Sequence, residues 1–319
     1  MRKLDNLLLY VGEVPYPTIL ERVVLIAEAY GAKITIAGVV ESFGSHAILS
    51  RPDLDLREIE LQLLEERKGQ LTDAVGRIDD RGVSISIMVL VGDPVVSIIE
   101  LVQDRDIDLL IKAPEPEEGL RGRLFGGIDM QLLRACPCPV EIGHPQKIGG
   151  ANRALVAIDY DGDDDVRSRL NDRILDSALL ATHGRHPEIY IVHAWSLYGY
   201  TLLAHGRGSM PPDRLNETVE QERAKRQEWL ENRVERFRSG VDASRQSDFK
   251  PVLELLQGKP ELVIPRRIRE LDADVLGIGT ASRSGLKGLL IGNTAEEILY
   301  RVDCAVVVLK PEGFVSPVQ

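Results

Sequence analysis

The chain is short of cysteine, has no surplus of basic charge and contains no long apolar run. Three cysteines among 319 residues do not amount to a disulfide framework and point to a reducing compartment. Cys136 and Cys138 lie in a Cys-Pro-Cys-Pro run with no second ligand pair for zinc, so they read as small hydrophobes in a terminal strand. Lys and Arg number 39 against 50 Asp and Glu, a formal charge of -11. That balance argues against a nucleic-acid surface, which needs clustered cations to displace counterions. No apolar stretch approaches the roughly 18 residues that cross a bilayer, so no membrane partner is expected. The N-terminal apolar run is brief and lacks a small-residue cleavage site, so it reads as a first core strand, and the cytoplasm is the expected location. Also missing are a Walker phosphate loop, a Gly-x-Ser-x-Gly elbow and an ordered Ser/His/Asp set. Nothing here calls for an enzyme.

What the chain does contain is the same half-domain twice. Residues 88–140, shifted forward by 166, fall on 254–306 without a gap, and fifteen of the 53 positions are identical. The matched pairs include Gly92/Gly258, Pro94/Pro260, Asp106/Asp272, Asp108/Asp274, Gly126/Gly292 and Cys138/Cys304. A period this long is no solenoid, so each copy is expected to be a whole domain, residues 1–146 and 151–319, joined by a polar, Gly-containing linker over 144–150. With 44% hydrophobic residues, each half can bury its own core.

Strand candidates alternate with helical stretches in both halves, which predicts right-handed βαβ crossovers. The expected fold is α/β: two tandem flavodoxin-like (Rossmann-like) domains, each a five-stranded parallel sheet with helices on both faces. Strands are expected at 7–11, 33–40, 83–91, 108–112 and 139–142, then at 154–159, 188–195, 251–256, 274–279 and 304–309. A long insertion, 196–238, separates the second and third strands of the later half. Its part from about Asn216 is a charge-striped helix, most of whose charges read as a solvated face. Pro265 is expected in the first turn of the helix after Gly258, where a missing N–H is tolerated.

In open parallel sheets, ligands sit beyond the carboxyl ends of the strands where the winding reverses. Two segments of the second half are placed there. One is the first strand's end at Asp159. The other is the glycine-containing run from Gly277 through Gly279, Ser282, Arg283, Gly285, Lys287 and Gly292 to Asn293 and Thr294, which leads into a helix. Glycines permit close approach to phosphate oxygens, and the first N–H groups of a helix are unpaired donors. The other reading is purely structural. Asn293 is a good N-cap, Thr294 with Glu297 fits a capping box, and the glycines turn the loop.

These residues resemble the universal stress protein family, whose nucleotide-binding members carry Gly-x2-Gly-x9-Gly-Ser/Thr after the fourth strand. Here the run is Gly279-x2-Ser282-x9-Gly292-Asn293, with the second glycine and the terminal hydroxyl replaced. The Val-Ala-Ile-Asp strand end at Asp159 and Ile-Val-His-Ala at 191–194 add to the likeness, which covers the whole chain as two domains. The resemblance implies ATP or another adenine nucleotide in the second domain only. Asp159 would contact the nucleoside and Ala194 would meet adenine through its backbone. Gly279, Ser282, Arg283, Gly292, Asn293 and Thr294 would surround ribose and phosphates. It also implies an intrachain pseudo-dimer joined through the terminal strands, and leaves open whether that pairs again into a homodimer.

The first half departs further. Gly12 stands where Asp159 would, Ala113 replaces Gly279 and Pro116 replaces Ser282. Residues 113–127 hold three Glu and two Arg, a balance of -1, whereas 279–293 hold Arg283 and Lys287 without acids, a balance of +2. An anion favours the later loop. Asp161, Asp163, Asp164 and Asp165 fail the EF-hand pattern and read as acids favouring a helix dipole, with magnesium beside a phosphate left open. His183 and His186 lack a third ligand, and His193 reads as a core residue with a satisfied ring. Three functions stay in view: a stress-response protein that binds nucleotide and works through protein partners, a nucleotide-independent interaction module, and a slow ATPase.

Overall fold

The structure, a computed structural model, describes residues 4–42, 56–114, 127–144, 153–162, 164–181, 188–206, 209–241, 249–280 and 292–318. The first half runs β1 (Asn6–Tyr10), α1 (Pro17–Tyr30), β2 (Lys33–Val40), α2 (Leu56–Val75), β3 (Ile85–Val91), α3 (Pro94–Asp104), β4 (Leu109–Lys112), α4 (Gly127–Ala135) and β5 (Val140–Ile142). The second runs β6 (Arg153–Ala157), α5 (Asp165–Ala181), β7 (Glu188–Trp195), α6 (Tyr200–His205), α7 (Pro212–Gly240), β8 (Val252–Gln257), α8 (Pro260–Leu271), β9 (Val275–Gly279), α9 (Asn293–Leu299) and β10 (Ala305–Leu309).

Local chemistry explains the borders. α1 opens with Pro17 in its first turn and ends at Gly31, whose φ of 66° suits a residue without Cβ. Asp93 caps α3 by accepting from the Val96 amide at 2.9 Å. The repeated glycines before α3 and α8 share a conformation that L side chains rarely adopt, with φ of 140° at Gly92 and 139° at Gly258. That shared turn explains why both copies keep glycine there.

The strands form one ten-stranded sheet in the order β3-β2-β1-β4-β5-β10-β9-β6-β7-β8. Each half is parallel throughout and winds in the Rossmann-like order. The halves meet in an antiparallel pair, β5 with β10, in which Val306 faces Ile142, Val307 faces Glu141 and Val308 faces Val140. The shift of 166 residues that relates the two copies also carries Glu141 onto Val307. The join is therefore symmetric about that facing pair, and two terminal edges that would otherwise lie open cover each other.

Three layers result. Residues of α3, α4, α8 and α9 bury against one face in a core continuous across both halves. The opposite face carries α1 against the first half and α5 and α7 against the second. Charges at the join are paired. Buried Glu141 is gripped by Arg22 of α1, with Nη2 to Oε2 at 3.2 Å. Arg134 of α4 meets Glu296 of α9. Lys310 donates its ammonium to the α4 carbonyls of Leu133 and of Arg134, the latter at 3.0 Å. Free carbonyls at a helix C-terminus are natural partners for a cation.

Several expectations need correction. Pro265 does not lie in a first turn: α8 begins at Pro260, so Pro265 is inside the helix. The carbonyl that its missing N–H would have served, that of Glu261, accepts from Arg301 Nη1 at 3.3 Å. Helix α7 begins at Pro212, four residues before Asn216, and α6 precedes it.

Candidate functional site

In the second half the winding reverses between β6 and β9. β6 alternates faces: Ala154, Val156 and Ile158 pack toward α5 and α7, while Leu155 and Ala157 pack toward α8 and α9. Asp159 stands two residues past the end of β6. Its carboxylate is exposed. Oδ1 accepts from the Tyr160 amide at 2.9 Å, whereas Oδ2 has no hydrogen bond among the described residues. The Asp159 backbone is held by Asn171 of α5: its N–H donates to Asn171 Oδ1 at 3.2 Å and its carbonyl accepts from Nδ2 at 2.7 Å.

Ala194 stands at the matching end of β7. Pairing between β6 and β7 ends at Ala157 and Val192, and the Ile158 amide then donates to the Val192 carbonyl at 3.0 Å. Backbone groups two residues apart point the same way. Ala194 thus turns its amide and carbonyl toward the β6 side, beyond the last pair. The next acceptor there, the Ile158 carbonyl, is bonded instead to His193 Nδ1 at 3.1 Å.

Gly279 ends β9, and its lack of a side chain has a packing cause. A Cβ would come within 2.7 Å of Ile174 Cδ1 and 2.8 Å of Leu170 Cδ2 on α5. Thr280 follows, buried, with its amide on the Leu309 carbonyl at 3.0 Å. Ser282 and Arg283 lie outside the described residues. Gly292 is the N-cap of α9, and among the described residues no side chain caps that helix. Asn293 is thus the first helical residue rather than the cap, and the Thr294–Glu297 capping box does not form. Asn293 and Thr294 are both exposed.

The acids after β6 divide in role. Asp164 accepts from the Val166 and Arg167 amides at 3.0 and 3.1 Å, finishing the start of α5. Asp161 is buried and faces three groups: Trp229 Nε1 at 2.7 Å, Arg233 Nε at 3.2 Å and Asn171 Nδ2 at 3.4 Å. Arg233 also reaches Asp172 at 2.7 Å. Arg233 was expected on a solvated helix face and is instead only 3% exposed. Tyr160 lies between Trp229, ring centroids 5.3 Å apart, and the Arg226 guanidinium, 3.9 Å from its ring centre. Asp163, His183 and His186 fall outside the described residues. Among the described residues, no three His, Cys, Asp or Glu gather as a metal site.

His193 is buried, as expected, but its ring is only half satisfied. Nδ1 must carry the proton it gives to the Ile158 carbonyl, and Nε2 has no partner among the described residues. Burial pushes this imidazole below its ordinary range, and the nearby Arg226 adds to the effect. The Ile158 carbonyl and the Asp159 and Asp161 carboxylates oppose it.

The first half fills the same places with bulk. Ala157, Ile278 and Ala295 correspond to Tyr10, Lys112 and Asp129. Lys112 and Asp129 are fully buried, with Nζ to Oδ1 at 2.7 Å, and Lys112 Nζ lies 5.3 Å from the Tyr10 ring centre. Gly12 offers no carboxylate. Arg67 of α2 donates to the Val11 and Gly12 carbonyls, to the former at 2.9 Å, and its Nε sits 2.8 Å from where a Cβ on Gly38 would stand. Gly38 is the counterpart of His193.

The sequence reading missed Ala157, Asn171, Trp229 and Arg233. Only Ala157, set against Tyr10 at the equivalent strand position, left a signal there. The other three act through tertiary contacts across more than ten residues of sequence.

Comparison with known proteins agrees with this architecture. The model of the universal stress protein family matches residues 8–142 and again 151–310. Universal stress protein E of Salmonella typhi is 26% identical over 303 residues, covering 94% of this chain and 92% of that relative. The Escherichia coli K12 protein of the same name is 27% identical over 240 residues, covering 75% and 72%. A functionally unknown protein of Pseudomonas aeruginosa shares the fold with TM-score 0.68 at 24% identity, covering 98% of this chain and 94% of the other. A universal stress protein of Archaeoglobus fulgidus does so with TM-score 0.60 at 18% identity, covering 96% of each. Two family matches in tandem, on a sheet built twice, show that this chain belongs to the universal stress protein family.

Proposed function

We propose that this protein serves the stress response by binding ATP or another adenine nucleotide in its second half, residues 151–319, and by passing that occupancy to protein partners. The observation that carries the reading is Asp159: an exposed carboxylate at the winding reversal, its backbone held on both sides, with one oxygen open to a hydroxyl donor. Ala194 supports it with backbone groups beyond the last strand pair, where an adenine edge finds a donor and an acceptor. Asn293 and Thr294 support it with helix-start amides that no side chain among the described residues caps. Ser282 and Arg283 complete the proposed phosphate side by their place in the sequence. The first half, residues 1–146, is the partner of an internal pseudo-dimer, its own mouth closed by Tyr10, Lys112 and Arg67. The proposed location is the cytoplasm, and no catalytic step is assigned.

A second reading has its own observation. Tyr198 is 98% exposed and Leu202 74% exposed in the segment around α6, apolar side chains that a docked protein would cover. In that reading the insertion docks a protein with no nucleotide involved. Equilibrium titration with labelled ATP separates the two. Saturable binding by the wild type, lost in Asp159→Ala, supports the nucleotide reading; no binding at millimolar ATP leaves the interaction module.

A further inference from the structure

We infer that Asn171 is the positioning residue of this site, a role that rests on the nucleotide reading above. Beyond Ile158, whose amide still reaches the Val192 carbonyl, the chain has left its strand partner, so the peptide groups of Asp159 need other partners to hold one conformation. Asn171 supplies both. Its Oδ1 takes the Asp159 amide at 3.2 Å and its Nδ2 gives to the Asp159 carbonyl at 2.7 Å. One side-chain amide thereby replaces the missing strand at a single residue.

The clamp is itself anchored. Asn171 is 2% exposed, and its Nδ2 also lies 3.4 Å from Asp161 Oδ2. Asp161 is fixed from the inserted helix α7 by Trp229 Nε1 at 2.7 Å and Arg233 Nε at 3.2 Å. With its backbone pinned and Oδ1 engaged by the Tyr160 amide, Asp159 keeps its other oxygen without a hydrogen bond among the described residues. A ligand then meets an acceptor already in place, which removes an ordering cost from binding.

The first half shows the contrast. Asn171 lies twelve residues after Asp159, and twelve residues after Gly12 stands Val24, a buried side chain with nothing to donate or accept. There the Gly12 carbonyl is served by Arg67 from α2. The amide clamp accompanies the half that carries the carboxylate.

A double-mutant cycle on ATP affinity tests this, using wild type, Asn171→Ala, Asp159→Asn and the double variant, each checked for an intact fold by circular dichroism. Asn171→Ala is expected to weaken binding about tenfold in the wild-type background and by less than about twofold beside Asp159→Asn, the signature of a residue acting through another. Where the alanine variant does not fold, Asn171→Asp, similar in shape but without the donor, takes its place. Unchanged affinity in a folded Asn171 variant overturns the role, as does an equal loss in both backgrounds, which a merely structural residue would give. Wild-type protein without ATP affinity removes the nucleotide reading and this role together. Wild-type binding that ignores Asn171 removes only the role.

Discussion

Trp229 gives its indole N–H to Asp161 at 2.7 Å, and that bond fastens the inserted helix α7 to the loop following β6. Arg233, one turn further on, shares the same buried carboxylate. Trp229→Phe removes one donor while leaving Asp161 its cation, at an expected cost of about 1–2 kcal/mol. Arg233→Met strands a buried carboxylate and is expected to cost more, about 3–5 kcal/mol. Urea unfolding of the two variants checks the order. Equal losses would mean that Asp161 does not depend on Arg233.

The buried pair in the first half makes a similar prediction with an internal control. Lys112 and Asp129 are each 0% exposed in their side chains, and the second half has Ile278 and Ala295 in their places. Asp129→Ala alone leaves an ammonium without its counter-charge and is expected to cost about 3–5 kcal/mol. Adding Lys112→Ile, which copies the second half, is expected to recover most of that loss. A double variant no more stable than the single would show that the pair is not the burden it resembles.

Lys310 predicts a pH dependence. Burial pushes its ammonium down from 10.5 to about 8, with Arg134 adding to the shift and Cys136 opposing it. Between about pH 8 and 10.5 the unfolded chain holds a proton that the folded chain has released. Stability contributed by this site therefore rises with pH across that window, on the order of 3 kcal/mol in all. Subtracting the Lys310→Met curve of unfolding free energy against pH from the wild-type curve should show that rise. A flat difference would mean that the helix carbonyls of Leu133 and Arg134 compensate the buried charge in full.

Gly279 has a packing reason beside the ligand reason for its type. The glycine reads in the sequence as an approach to phosphate, whereas in the fold a Cβ there would strike Leu170 and Ile174. Gly279→Ala is accordingly expected to destabilise by about 1–3 kcal/mol, measured by thermal unfolding without any nucleotide. A variant as stable as wild type would return the glycine to the ligand.

The periodic features were legible. β2 and β7 lie where the sequence places strands at 33–40 and 188–195, and the repeat relates β4 and β5 to β9 and β10. The resemblance implied contact between the terminal strands but not its sense; the pairing of β5 with β10 is antiparallel, and its register sets Glu141 opposite Val307. What sequence concealed depends on the third dimension. Arg233 sits in a run of charges, and nothing in that run marks the one residue that turns inward to Asp161. Pro265 looks like a first-turn proline because the helix start at Pro260 is set by Gly258. Of the site, Asp159 and Ala194 are found at the expected strand ends. Asn171, twelve residues along an ordinary amphipathic helix, carries no local mark of its contact with Asp159.

One asymmetry separates the two copies of the fold, and nucleotide stoichiometry reads it directly. Native mass spectrometry of the intact chain with increasing ATP is predicted to show one bound nucleotide per chain, lost in Asp159→Ala and retained in Lys112→Ile/Asp129→Ala. Two nucleotides per chain, or one that persists in Asp159→Ala, would contradict it.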